Sequence, residues 1–278
     1  MEDTYTVANG GHFAAVFDGH GGSGVSGMLR DHVHRLYSKA LLQRHGEETQ
    51  RSALNEMQVD DDENEVVNES TKRSVPSINS LVSSIRGALK RVERESMRHD
   101  HFEYQGSTAV VVLVHVGENG ERTLVSANVG DSRAILCRGR KAVDLTRDHK
   151  PSDEREKARI RSMGEDVQWD PYGEIYRVKD LSLSRAIGDR FAKPVVSSEA
   201  EIDCLPVNED DDEFFVSSFF GFRSSSVLQT TRKMVFEFDP FGAAKQGLGV
   251  YFYFYLIHDF ACFKPCYHCL LYPLIYSQ

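Results

Sequence analysis

Between residues 107 and 146 the chain reads as a run of short apolar segments divided by turn residues, and this run constrains the fold more than any other feature. Ala109 to Val116 is followed by a turn at Asn119-Gly120, then Arg122 to Val129, a break at Gly130-Asp131, Ala134 to Cys137, and Gly139 before Ala142 to Leu145. Hairpin spacing of this kind predicts an antiparallel β-meander. A further strand is predicted at Phe13 to Phe17, ending at Asp18 and the glycine-rich Gly19-His20-Gly21-Gly22.

Helical signals stand on either side of the meander. From Ser23, a suitable N-cap, Val25, Leu29, Val33, Leu36, Ala40 and Leu41 recur at three- and four-residue spacing. Residues 46 to 79 are polar, carry Asp60-Asp61-Asp62-Glu63 and have no sustained period, so a flexible insertion is expected there. A second helix is predicted over Ser80 to Met97, with Leu81, Ile85, Ala88, Leu89 and Val92 on one face. Pro151-Ser152-Asp153-Glu154 announces a third that closes at Gly164, and Leu181 to Ser184 and Ile202 to Val207 read as short strands. Helices grouped between hairpin-connected strands indicate an α+β sandwich.

The 278 residues, 40% hydrophobic and 27% charged, suffice for one large domain. A net charge of -9 argues against a nucleic-acid surface, since phosphate binding depends on Lys and Arg. Five cysteines, an odd number, fit a reducing compartment, and no bridge is predicted. Residues 1 to 20 contain no apolar signal segment, and the longest apolar run, Gly247 to Ile257, is short of the ~20 residues a membrane helix requires. The expectation is a cytoplasmic or nuclear monomer that binds neither nucleic acid nor membrane.

Two acidic groups near the start could carry chemistry: Glu2-Asp3, and Asp18 at the end of its strand. Oxygen ligands suit hard divalent cations. Gly19, lacking a Cβ, would let the backbone turn so that its carbonyl faces an ion held by Asp18, and His20 could protonate a leaving oxygen near neutrality. Taken singly, an Asp in the place of Asp18 is more often a turn or cap residue and a lone His such as His20 is usually structural. The glycines complete neither GxxxxGK[ST] nor, with Ser23 or Ser26, GxSxG, so a P-loop and a hydrolase elbow are excluded.

In combination, Met1-Glu2-Asp3, Val16 to Gly22, Gly106-Ser107-Thr108-Ala109, Ala127 to Ala134, Asp148-His149-Lys150-Pro151 and Leu183 to Asp189 resemble the type 2C metal-dependent serine/threonine phosphatases, plant members most closely. The resemblance implies a four-layer αββα sandwich of two antiparallel sheets flanked by helices, and two Mg2+ or Mn2+ ions acting on phosphoprotein substrates. By matching motif, Asp18 would bridge the ions, Gly19 would offer its carbonyl, and Glu2 and Asp3 would hold an ion or its waters. His20 would be the general acid, and Asp131 would serve a third, weaker metal site or else simply a turn. The implied reaction is direct hydrolysis of phosphoserine or phosphothreonine by a metal-activated water. Arg133 and Arg185 are expected in structural carboxylate pairs rather than on phosphate.

The pattern departs after Asp210-Asp211-Asp212-Glu213-Phe214. The family places Ser-Asp-Gly at the end of the next strand and an Asp-Asn pair later, whereas here Phe215-Val216-Ser217-Ser218-Phe219 follows and no Asp-Asn occurs to Gln278. A partial phosphatase domain is therefore expected over residues 1 to 216, incomplete at its C-terminal end, with a divergent aromatic-rich tail over 217 to 278 and both ends cut. A catalytically inactive interaction module is the alternative. His258, Cys262, Cys266, His268 and Cys269 form too scattered a set to predict zinc.

Overall fold

A computed structural model describes residues 2–57, 74–138 and 141–207 together with three strands beyond them, Asp211–Ser217, Arg232–Phe238 and Tyr251–Leu256. In chain order the elements are β1 Thr4–Ala8, β2 Phe13–Phe17, β3 Gly19–His20, α1 Gly24–Met57, α2 Ile78–Ser96, β4 Gly106–Ser107, β5 Ala109–Val116 and β6 Arg122–Val129. There follow β7 Arg133–Arg138, β8 Lys141–Asp144, α3 Glu154–Ser162, β9 Gln168–Asp170, β10 Ile175–Arg177, β11 Ile187–Gly188, β12 Glu201–Pro206, and the three later strands as β13, β14 and β15. Among the described residues no helix is long and apolar enough to cross a membrane.

One sheet has the order β1-β2-β5-β6-β12 and the other β15-β14-β13-β7-β8, with every pairing antiparallel. Residue alternation along β2 and β5 explains how they stack. Phe13, Ala15, Phe17, Ala109, Val111 and Leu113 pack with Leu29, Ile85 and Leu89 of the helices. Ala14, Val16, Val110 and Val112 face the other way and meet Ala134 and Leu136 of the second sheet. Successive side chains point to opposite faces, so strands buried on both sides must be apolar at every position. Burying each large side chain such as Phe13 or Leu113 contributes about 2–3 kcal/mol. The result is the α+β arrangement of antiparallel sheets and helices that the sequence indicates.

Several boundaries differ from expectation. Helix α1 continues through residues 46 to 57, where a flexible insertion was predicted. A polar composition rich in Glu, Gln and Arg does not oppose a helix, and Glu48 Oε1 accepts hydrogen bonds from Ser77 Oγ (2.7 Å) and Ser80 Oγ (2.6 Å) at the start of α2. The remainder of that predicted insertion up to residue 73 lies outside the described residues. Helix α2 begins at Ile78, capped by Ser77, whose side chain accepts from Ser80 N. Leu181 to Ser184 forms no strand: Lys179 and Asp180 have φ of 48° and 67° and fold Val178 back onto Leu181 in a tight turn. Its alternating pattern reflects Leu183 entering a third apolar cluster with Ile160 and Val196.

The C-terminal strands β14 and β15 fall in the segment that showed no period. Met234-Val235-Phe236 and Tyr251 to Leu256 are rich in β-branched and aromatic residues, which favour extended pairing without alternation. The scattered Cys and His residues from His258 to Cys269 lie outside the described residues.

Candidate functional site

Strand register brings the acidic residues together. Thr4 lies opposite Phe17 in the β1-β2 pair, so Asp3 and Asp18, one residue beyond each, emerge at the same end of the sheet. On the neighbouring strands Val16 pairs with Val110 and Ala109 with Val129, which sends Asp131 out at that end as well. A sequence separation of more than a hundred residues is closed by three antiparallel pairings.

Short polar bonds then fix the loops. Asp18 N donates to Thr108 Oγ1 (3.1 Å), Thr108 N donates to Asp18 O (2.9 Å), and Thr108 Oγ1 shares a 2.6 Å hydrogen bond with Ser132 Oγ. Thr108 thus ties the Asp18 turn to the Asp131 turn. On the other side Ser26 Oγ donates to Glu2 O (2.5 Å) and Thr4 Oγ1 to Ser26 O (2.8 Å), clamping the N-terminal segment to the first turn of α1. Gly19 is required in this crowd: a Cβ there would stand 2.5 Å from Glu2 O and 2.8 Å from Ser26 Oγ.

The electrostatics of the cluster are those of an unneutralised anion site. Asp18 is 7% exposed, and its pKa is pushed up to about 8 by burial, then by the charge of and hydrogen bond to Asp3, and then by the charges of Asp131 and Glu2. A buried carboxylate surrounded by carboxylates keeps its proton unless a cation arrives. Asp131 is paired with the ammonium of Lys150. Among the described residues no three Asp, Glu, His or Cys side chains are drawn into a ready-made cage. The donor set is all oxygen and open, which suits a magnesium-like ion, since such ions use one or two carboxylates and keep the remaining positions for water and phosphate.

His20 stands beside this cluster, 23% exposed at its side chain, with Nε2 2.9 and 2.8 Å from the two oxygens of Asp189. Asp189 is fully buried. A cleft of about 580 Å³ is lined by Asp18, His20, Thr108, Asp131 and Lys150 together with Trp169 and Tyr176 of the β9-β10 hairpin. A larger groove of about 820 Å³ holds Arg133, Asp148, Arg147, Asp153 and Glu201 instead. Its charges are already spent on one another: Arg133 grips Asp148 through two bonds of 2.7 and 2.9 Å, and Arg147 reaches Asp153 at 2.8 Å and Glu201 at 3.1 Å. Size does not make it the reactive site.

The structure therefore gathers Asp18, Asp131 and His20 in one cleft and sets Glu2, Asp3 and Gly19 against Asp18. Arg185 pairs with Glu156 at 3.0 and 2.5 Å, and like Arg133 it is committed to a carboxylate. Sequence reasoning overlooked Asp189 as the partner of His20, because 169 residues separate them. It also gave no part to Thr108 and Ser132. The signal available was their position inside the short segments Gly106-Ser107-Thr108-Ala109, Gly130-Asp131-Ser132-Arg133 and Leu183 to Asp189.

Comparison with known proteins gives a concordant result. Residues 7–216 match a family model described as Protein phosphatase 2C. Protein phosphatase 2C 50 of Oryza sativa subsp. japonica is 35% identical over 209 residues, covering 74% of this chain and 50% of that protein. Protein phosphatase 2C 16 of Arabidopsis thaliana is 34% identical over 213 residues, 75% of this chain and 38% of that protein. The chain spans about half the length, or less, of these two relatives. Among solved structures, a serine-threonine phosphatase 2C from Toxoplasma gondii superposes with a TM-score of 0.57 at 21% identity, covering 78% of this chain and 72% of that one. A C. elegans sex determining protein gives 0.58 at 24% identity, covering 78% and 47%. At these identities the structural matches speak for the fold.

Proposed function

Because the chain belongs to the protein phosphatase 2C family, we propose that it removes phosphate from phosphoserine and phosphothreonine residues of proteins at the cleft that holds Asp18, His20 and Asp131. The observation that carries this reading is the Asp18 carboxyl, whose pKa is held at about 8 by burial and by the acidic groups of Asp3, Asp131 and Glu2, a setting that would favour a divalent cation. The ligands would be Asp18, the Gly19 carbonyl, Glu2 and Asp3, with Asp131 at the margin, and Mg2+ or Mn2+, two ions in a full site, fits oxygen donors of this kind. When bound, such ions neutralise the phosphate and lower the pKa of water.

The chain's own residues supply the rest. Asp189 accepts the Nε2 proton of His20 and holds the ring, which leaves Nδ1 as the atom to hand a proton to the departing serine or threonine oxygen. Thr108, bonded to both the Asp18 and the Ser132 loops, keeps the two acidic turns at fixed separation. Trp169 and Tyr176 line one side of the cleft.

The experiment is turnover of a phosphothreonine peptide with and without Mn2+. Hydrolysis is expected to require the ion, to stop with chelator, and to fall about a thousandfold in Asp18→Asn, since one unit charge at 4 Å in an effective dielectric of 20 is worth about 4 kcal/mol. Hydrolysis that survives chelation, or peptide binding with no turnover at any Mn2+ concentration, overturns the reading.

A further inference from the structure

We propose that Glu93 of helix α2, clamped by Lys193, is a positioning residue for the His20-Asp189 pair. This inference rests on the reading of His20 as the proton donor. Asp189 adopts a left-handed backbone, φ 50° and ψ 51°, and follows Gly188 at φ 85°. A non-glycine residue persists in that conformation only when its surroundings over-determine it. Three bonds do so: Asp189 N donates to Gln105 O (2.8 Å), Ala192 N to Asp189 O (2.9 Å), and Gly188 N to Glu93 Oε2 (2.8 Å).

The first and third come from outside the segment, and the third is the one made by a side chain, that of Glu93, 95 residues from Gly188. Glu93 is itself held. Its Oε1 lies 3.1 Å from Lys193 Nζ, the side chains are 12% and 17% exposed, and Lys193 Nζ also donates to Ala186 O (2.6 Å). The ammonium thus staples both sides of β11, the strand that leads into Asp189, to one carboxylate on α2. Helix α2 has an apolar face for the core formed by Leu81, Ile85, Ala88, Leu89 and Val92. Glu93 follows Val92 directly, and its buried charge is costly there without a task. The task the geometry assigns is to aim Gly188-Asp189, and through Asp189 the imidazole of His20.

The test compares Glu93→Ala with wild type on two substrates: a phosphoserine peptide, whose alkoxide leaving group needs a proton, and an aryl phosphate, whose leaving group does not. The expected result is a loss of about 10- to 100-fold in kcat on the peptide with KM unchanged, against a change of less than about threefold on the aryl phosphate. Equal losses on both substrates, or none on either, overturn the proposal. Should Glu93→Ala fail to fold, Glu93→Gln combined with Lys193→Met keeps an oxygen for Gly188 N without stranding an ammonium. With the Lys193 clamp gone, that variant is expected to lose more than about threefold in kcat on the peptide and less than about threefold on the aryl phosphate, and equal losses on both substrates, or none on either, overturn the proposal. The His20 imidazole NMR resonance gives a readout independent of turnover. It is expected to move in Glu93→Ala toward its place in Asp189→Asn, and an unmoved resonance overturns the assignment even in a chain that hydrolyses nothing. Wild type inactive on both substrates with Mn2+ would refute the proposed function instead.

Discussion

Asp18 and Glu156 are both carboxylates nearly sealed from solvent, 7% and 1% exposed, yet one holds its proton up to about pH 8 and the other releases it at about 2. Burial raises both. Around Asp18 the neighbours are Asp3, Asp131 and Glu2, which raise it further. Around Glu156, Arg185, Ser184 and Arg159 more than offset the burial. The two regions have opposite designs: Glu156 of the α3 network is met by arginines of the chain, whereas Asp18 is met by further acidic groups, which on the proposed reading a divalent cation would complete. A buried acid with its own arginines is scaffold, and one without them is a binding site in waiting.

The comparison breaks if the two acids respond alike to loss of charge. Glu156→Gln leaves Arg185 and Arg159 facing a neutral amide in a buried site, and a loss of about 3–5 kcal/mol is expected in urea unfolding. Asp18→Asn replaces a carboxyl that stays protonated without metal by a neutral group of the same shape, so metal-free stability should hold or rise, while the melting shift that Mn2+ gives wild type should vanish. Equal destabilisation by the two would show that Asp18 is also scaffold.

A pH series sharpens the contrast. Glu156 is depressed from 4.5 to about 2, so the folded state binds fewer protons than the unfolded one in that window. Its contribution is fully present above pH 4.5 and is lost as pH falls through about 2, a term of about 3 kcal/mol. Chemical unfolding from pH 6 to pH 2 should show this decline in wild type and lose most of it in Glu156→Gln.

Next in size is the partner of His20. Asp189→Asn keeps the shape but presents an amide that can donate as well as accept, freeing the ring to turn, and a 10- to 100-fold fall in phosphopeptide turnover is expected. Unchanged turnover would mean that the 2.8 Å contact is structural only.

How much of this was legible follows from where each residue lies relative to local pattern. Strands β2 and β5 are readable as nearly continuous apolar runs and β6 from the turn residues Asn119-Gly120 and Gly130-Asp131 that bound it, and they deliver Asp18 and Asp131 to one sheet end. Glu2, Asp3, Gly19 and His20 are adjacent to Asp18 in sequence or in strand register. Asp189 and Glu93 were not legible, since their contacts with His20 and Gly188 span 169 and 95 residues and leave no periodic trace. The extension of α1 was hidden for another reason: residues 46 to 57 carry no apolar stripe, and Glu48 joins them to Ser77 and Ser80 through hydrogen bonds instead.

The smallest effect tests whether the scaffold region is as self-sufficient as its pKa suggests. Asp153 caps α3, accepting from Arg155 N (3.0 Å) and Glu156 N (3.2 Å), and also receives Arg147 Nη1 at 2.8 Å. The cap fixes the backbone from which Glu156 reaches Arg185. Asp153→Ala should cost about 1 kcal/mol, read in urea unfolding, and Asp153→Asn less, because its amide oxygen can still accept the two N–H groups. Arg147 keeps Glu201 at 3.1 Å in either variant, so no cation is stranded and the loss stays near that of a cap alone. A loss approaching that of Glu156→Gln would mean that α3 must be capped before its ion network can form, placing the strength of the scaffold in the helix start and not in the buried charges.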